Sequence, residues 1–253
     1  VKSHDLLAGK VVVITAAAGT GIGSAAALRC LEEGASVVIS DRHPSRLAST
    51  CDELKVSFGD RVSAVPCDVT SEDQVQALIS GAVQTFGRLD VLINNAGLGG
   101  TASVLDMSDE EWQRVLDITL TGTFRCTRAA LKQMVAQGGG GAIVNNASVL
   151  GWRAQAGQAH YAAAKAGVMA LTRCSALDVA AHGIRVNAVA PSIAMHPFLA
   201  KVTSEELLAS LEKQEAFGRS AEPWEVANVM VFLASDLASY LTGEVISVSS
   251  QHA

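Results

Sequence analysis

A chain of 253 residues, 49% of them hydrophobic, is long enough to bury one full core and is expected to form a single domain over residues 1–253. Its net charge of -6 lacks the basic excess that sequence-independent binding to nucleic acid or an anionic membrane surface requires. Five scattered cysteines (Cys30, Cys51, Cys67, Cys126, Cys174) form no C-x-x-C pair, which argues against a disulfide framework or structural zinc and suits a reducing cytoplasm. The opening VKSHDLLAGK has no secretory-signal pattern, so no export is expected.

Apolar β-branched runs alternate with longer helical patterns, the signature of βαβ units and a parallel sheet covered on both faces. The expected strands are Val11–Thr15, Ala35–Ser40, Arg61–Val65, Val91–Asn94, Ala142–Asn146, Arg185–Val189 and Val245–Val248. Helices are expected to begin near Gly21, Pro44, Ser71, Ser108, Gln158 and Pro223, several at a Ser or Pro start signal. The uncharged stretch Val11–Leu28 reaches the minimum length of a membrane span, but its glycines and small residues favour a buried strand, turn and helix. Gly138–Gly141 reads as a turn between a helix and a strand. The expected architecture is α/β: a Rossmann-like, doubly wound parallel sheet of about seven strands in a three-layer sandwich, with ligands at the carboxyl ends of the strands.

Gly19, Gly21 and Gly23 stand between the first strand and the first helix, where backbone N–H groups and the helix dipole can meet a pyrophosphate. Asp41 follows the second strand directly, placed to accept hydrogen bonds from adenine ribose hydroxyls and to repel a 2′-phosphate. That favours NAD(H), while the adjacent Arg42 leaves NADP(H) open because a guanidinium can pair with the phosphate. Without a ligand the same residues would serve as a tight turn and a cap.

Tyr161 and Lys165 are four apart on one helical face. A phenol with its ordinary pKa near 10 is a poor base at neutral pH, and a neighbouring ammonium would stabilise the phenolate. Taken alone the pair reads as an incidental surface contact. Ser148, at the end of the fifth strand, adds a hydroxyl able to hydrogen-bond a reacting oxygen.

These features together resemble the short-chain dehydrogenase/reductase family over almost the whole chain. The resemblance rests on the glycine loop, Cys67–Val69, Asn94–Gly97, Ser148 thirteen residues before Tyr161, YxxxK, and RVNAVAP at Arg185–Pro191. It implies hydride exchange between a nicotinamide cofactor and a secondary alcohol or ketone. Tyr161 would be the acid/base, Lys165 would lower its pKa and hold the nicotinamide ribose, and Ser148 would orient the substrate oxygen. The implied cofactor contacts are Gly19, Thr20, Gly21, Ile22, Asp41 and Arg42 in the first βαβ unit. Further along they are Asp68, Val69, Asn95, Ala96, Gly97, Tyr161, Lys165, Pro191, Ile193 and Ala194. The resemblance also implies a homotetramer.

Four departures stand out. From Thr15 to Gly23 the loop is one residue longer than the family's T-G-x-x-x-G-x-G, with alanines where the first glycine belongs. Thr119 occupies the place of an active-site asparagine that holds a relay water; its backbone carbonyl could keep that function. Ser192 and His196 replace the glycine and threonine of P-G-x-x-x-T, and the chain ends SVSSQHA where V-D-G-G is usual. Met195, Phe198, Leu199 and Leu207, with Gly151, Trp152, Gln155 and His160, favour a bulky apolar ketone or alcohol, in the manner of β-ketoacyl reductases and hydroxysteroid dehydrogenases. The phrasing most resembles actinobacterial members of steroid or lipid catabolism. Two rival readings are a 3-oxoacyl thioester reductase, with Arg125 and Arg128 as the phosphate patch, and a non-catalytic dinucleotide-binding redox sensor.

Overall fold

The computed structural model describes residues 3–195 and 205–250. The β-branched runs become seven strands: β1 (Val11–Ile14), β2 (Ser36–Ile39), β3 (Val62–Ala64), β4 (Val91–Asn94), β5 (Gly141–Asn146), β6 (Ile184–Pro191) and β7 (Val245–Val248). All pair in parallel in the order β3-β2-β1-β4-β5-β6-β7, so the sheet winds outward in both directions from the β1/β4 boundary. That boundary is a topological switch point, where the loops leaving two neighbouring strands part and open a crevice.

Helices α1 (Ile22–Glu32), α2 (Pro44–Phe58), α3 (Glu72–Phe86), α4 (Asp109–Leu116), α5 (Gly122–Gln137), α6 (Ala159–Val179), α7 (Glu205–Gln214) and α8 (Pro223–Ala234) complete the described elements. One core packs α1 and α8 on the sheet through Ala26, Cys30, Val226 and Met230; a second lies under α3 and α5 through Leu78, Ala82, Ala130 and Met134. The start signals hold locally. Pro44 opens α2, Ser71 and Ser108 accept from backbone N–H groups at the heads of α3 and α4, and Pro223 opens α8.

Three expectations are corrected. Arg61 leaves β3 for a preceding 3-10 turn, where its guanidinium donates to the carbonyls of Leu31 and Ala35 at 2.9 Å each. The helix expected from Ser108 is broken by one turn of π-helix, Asp117–Thr121, before α5. Strand β6 runs on to Pro191, which stands at its terminal position and donates nothing to the ladder. The uncharged stretch from Val11 is divided into β1, a loop and α1, and no helix among the described residues is long and apolar enough to cross a membrane.

Candidate active site

The loop after β1 is the first wall. Ala16 has a φ of 51°, a left-handed conformation that glycine adopts without strain, in the loop that is one residue longer than the family pattern. A Cβ on Gly23 would stand 2.3 Å from the Ala16 carbonyl oxygen and 2.4 Å from Asn95 Nδ2, so only glycine lets the head of α1 close on that loop. Gly21, the N-cap of α1, offers no side chain to the helix N–H groups, and no acidic residue lies in the first turn. The donors of Thr20, Gly21 and Ile22 therefore belong to a helix head built for an anion. A groove of about 320 Å³ runs beside Gly19, Thr20 and Gly21 between α1 and α2.

Asp41, buried at the exit of β2, behaves partly as the plain cap that its position also allows. Its Oδ1 accepts from the His43 backbone N–H at 2.9 Å and from Arg46 Nη2 at 3.0 Å. Sequence reasoning placed the nearby guanidinium on Arg42, but Arg42 Nε is directed to His43 Nε2 at 3.3 Å and the ion pair is made by Arg46. The signal was available: Pro44 starts α2, and a residue in that first turn faces back toward the strand end. Asp68 Oδ1 accepts from the backbone N–H and hydroxyl of Thr70, and Val69 packs so tightly on α5 that a Cβ on Gly122 would lie 2.6 Å from it.

Across the switch point, the Thr15 hydroxyl accepts from the backbone N–H groups of Asn95 and Ala96, both at 3.0 Å. Asn94 and Asn95 divide their labour. Asn94 Nδ2 donates to Asn145 Oδ1 at 2.8 Å and to Thr127 Oγ1 at 2.9 Å, and Asn145 passes the chain to Thr172 Oγ1, a buried ladder tying β4 and β5 to α5 and α6. Asn95 Nδ2 donates instead to the Ala16 carbonyl, and its Oδ1 accepts from Asn146 Nδ2, each at 3.0 Å. Those two bonds fix the amides of Asn95 and Asn146 and leave Asn146 Oδ1, like Asn94 Oδ1, buried without a partner among the described residues.

Asn146 was missed from sequence, although it lies two residues before Ser148 on the same strand face. Its backbone oxygen receives Lys165 Nζ at 2.5 Å. Ser148 caps the short 3-10 turn Val149–Gly151, accepting from Leu150 N at 3.2 Å. Tyr161, in the first turn of α6, has Lys165 Nζ 5.5 Å from its ring centroid. The expected depression of the phenol by the ammonium is not what this geometry gives. Burial pushes the Tyr161 phenol above its ordinary value, with the neighbouring Ser148 hydroxyl, as hydrogen-bond partner, pulling the other way. Burial also lowers the Lys165 ammonium to about 8. The physical reason is that Nζ faces the ring and a strand carbonyl, and both titratable groups pay for leaving water.

Thr119, fully buried in the π-turn, spends its hydroxyl on Leu98: it donates to the Leu98 carbonyl at 3.1 Å and accepts from Leu98 N at 3.0 Å. Its own carbonyl accepts from Thr123 Oγ1 at 2.8 Å. Gly97 lies between the two groups, since a Cβ there would be 3.5 Å from Lys165 Nζ and 3.8 Å from Thr119 Oγ1. His160 is buried and its Nδ1 accepts from Tyr161 N at 2.9 Å, a capping contact at the head of α6.

After β6, the Ile193 carbonyl accepts from Ala221 N at 2.8 Å, and Ala194 bridges Ala221, so this segment is stapled to the approach to α8. His196, Phe198 and Leu199 lie outside the described residues, as does the side chain of Leu207. Arg125 pairs with Asp117 at 3.0 Å and Arg128 with Glu72 at 2.7 Å. At the chain's end, Ser250 donates to the buried Glu215 carboxylate at 2.8 Å, fastening β7 to the segment after α7.

Three hydroxyl- or amine-bearing side chains thus meet beside a glycine loop at the carboxyl ends of a parallel sheet. A family profile described as Enoyl-(Acyl carrier protein) reductase, adh_short_C2, matches residues 16–250. The chain belongs to the short-chain dehydrogenase/reductase family. It is therefore an oxidoreductase, and the fold is one that binds a nicotinamide cofactor. The closed Gly23 packing, the uncapped head of α1 and the orphan acceptor of Asn146 all fit such a dinucleotide. Among relatives in this short-chain dehydrogenase/reductase family, a Mycobacterium tuberculosis protein is 65% identical over 252 residues, covering 100% of this chain and 96% of its own. It is named (5R,7aS)-5-hydroxy-7a-methyl-1-oxo-2,3,5,6,7,7a-hexahydro-1H-indene-carboxyl-CoA reductase. Cis-4-hydroxycyclohexanecarboxylate dehydrogenase of Sinomonas cyclohexanicum is 44% identical, covering 96% of each chain. A crystal structure of a short chain dehydrogenase from Mycobacterium smegmatis, 59% identical, superposes with a TM-score of 0.89 over 100% of this chain and 97% of that one.

Proposed function

We propose that the protein interconverts a secondary alcohol and a ketone on an alicyclic ring that carries a carboxyl-derived group. The observation that carries this reading is the meeting of Ser148, Tyr161 and Lys165 beside the glycine loop, in a chain two of whose relatives are named for a hydroxylated alicyclic acid or its thioester. The nicotinamide supplies or accepts the hydride when bound. Tyr161, held protonated at neutral pH by burial, gives its proton to the carbonyl oxygen in reduction and takes it back in oxidation. Ser148 holds that oxygen by a hydrogen bond. Lys165, anchored on Asn146, holds the ribose side of the site and carries charge below about pH 8. Thr119 braces the Leu98 backbone against the π-turn.

Gly19, Thr20, Gly21, Ile22, Asp41, Asp68, Val69, Asn95, Ala96, Gly97, Pro191, Ile193 and Ala194 would hold the dinucleotide. Asp41 favours NAD(H), with Arg42 and Arg46 close enough to receive a 2′-phosphate. The chain acts as a single domain over residues 1–253, in the cytoplasm, as a homotetramer; exposed Phe124, Trp224 and Tyr240 supply apolar surface for subunit contacts. A 3-oxoacyl thioester reductase is the alternative reading of the same site.

The test is oxidation of cis-4-hydroxycyclohexanecarboxylate, its coenzyme A thioester, a hydroxysteroid and a short 3-hydroxyacyl thioester, each with NAD and NADP, followed by reduced-cofactor absorbance. The ring acid or its thioester with NAD should be fastest. Cofactor binding without turnover of any alcohol would replace this reading by the sensor.

A further inference from the structure

The thirteen-residue span from Ser148 to Tyr161 does more than connect two reactive hydroxyls. Its stretch Leu150–Ala159, with residues Thr101–Val104 and the Ala162, Ala163, Ala166 face of α6, lines a second, larger open cleft of about 950 Å³. That is the size range of small-molecule sites. The two walls are fixed to each other: Ala102 N donates to the Gly157 carbonyl at 3.0 Å, and Gln158 Nε2 donates to the Gly100 carbonyl at 2.7 Å and to Thr101 Oγ1 at 3.2 Å. Gly157 permits this closeness, because a Cβ there would lie 2.9 Å from Thr101 Cγ2. The shape is therefore set before anything binds.

The lining is largely small and apolar, and Arg153 lies within it. Its Nε and Nη2 are buried and have no hydrogen-bond partner among the described residues. Other arginines that are not exposed have acceptors: Arg29 has Glu32 and Glu33, Arg61 and Arg185 have backbone carbonyls, and Arg125 has Asp117, whereas Arg114 and Arg173, which have none, are exposed to water. A guanidinium cannot shed its charge at any ordinary pH, and although Arg153 as a whole is half-buried, two buried donors without an acceptor cost free energy until an anion arrives. The fork of donors suits the two oxygens of a carboxylate or phosphate.

We propose that Arg153 is a specificity residue that receives an oxoanion carried by the substrate away from its reacting hydroxyl. This deepens the function proposed above and rests on it for the identity of the ring. The shared chemistry admits two sources, the free carboxylate of a ring acid and a phosphate of the coenzyme A thioester. Arg153 does not take part in proton or hydride transfer; it sets which alcohols are held long enough to react.

The experiment compares wild type with Arg153→Met, Arg153→Gln and Arg153→Lys. The substrates are cis-4-hydroxycyclohexanecarboxylate, its coenzyme A thioester, its N-acetylcysteamine thioester and neutral 4-methylcyclohexanol. Calorimetric binding of unreactive cyclohexanecarboxylate to the cofactor-loaded protein is read alongside. Loss of the buried charge pair should raise KM for the charged substrates roughly thirtyfold or more, with kcat changed far less and 4-methylcyclohexanol unaffected. Arg153→Lys should recover part of the loss. A rise confined to the free acid assigns the carboxylate, and one seen with the coenzyme A thioester but not with the N-acetylcysteamine thioester assigns the phosphate. Equal effects on all four substrates, or none, would overturn the proposal. So would gel filtration showing that Arg153→Met and Arg153→Gln break a tetramer the wild type forms, because the guanidinium would then serve a neighbouring copy. If wild type turns over none of the alcohols, the function fails first. Calorimetry then decides the residue separately, by whether cyclohexanecarboxylate binding depends on Arg153.

Discussion

Lys165 is a cation buried within the fold, and its position makes a testable statement about stability. The unfolded chain keeps the lysine proton up to its ordinary value of 10.5, the folded chain only to about 8. Between those pH values the unfolded state binds more protons, so stability rises as pH rises, and the buried ammonium costs about 3 kcal/mol below the window. Lys165→Met removes that cost together with one hydrogen bond to Asn146. Urea midpoints at pH 7 and pH 10 should show wild type gaining on the variant as pH rises; parallel curves would mean the ammonium is well solvated. For Tyr161 the direction is the opposite of what four-residue spacing suggests. Spacing gives the shared helix face, but the sign of a pKa shift depends on how much water the fold removes, which no pattern of letters records.

Among the elements, the β1–α1 loop joins sequence to function most directly. Ala16 turns the lengthened loop through a left-handed conformation, while Gly23 makes a contact in that loop that cannot take a side chain. Gly23→Ala would force its methyl into the Ala16 carbonyl and Asn95 Nδ2, separating α1 from β4. Its cost should reach the 1–3 kcal/mol typical of overpacking, with NADH affinity lowered at least tenfold by fluorescence titration. Unchanged affinity would show that the cofactor does not depend on that closure. The glycines, the Ser and Pro helix starts and the seven strands were legible because each is a local steric or hydrogen-bonding rule. The π-turn around Thr119 was not, since its extra residue per turn is stabilised by Leu98, twenty-one residues back in the chain. Arg46, Asn146 and Arg153 escaped for the same reason: each is singled out by what it meets, or fails to meet, across the fold.

At the scale of the whole molecule, the order β3-β2-β1-β4-β5-β6-β7 brings loops from distant parts of the chain to one edge of the sheet. Some recognisable phrases serve that architecture and not the chemistry. In RVNAVAP, Arg185 donates to the Leu233 carbonyl at 2.7 Å at the end of α8, and Asn187 is tied to Leu241 and Glu244 around the start of β7. Such motifs place the frame, and the frame places three side chains. The central claim is that the Tyr161 hydroxyl carries the proton of an alcohol–ketone exchange. The direct test is Tyr161→Phe, measured at once for turnover of the ring alcohol and for NADH affinity. The account predicts turnover lowered by at least about a thousandfold, toward the upper range for a lost acid/base group, with NADH affinity within a few fold of wild type. A variant that still turns over at a comparable rate would contradict it.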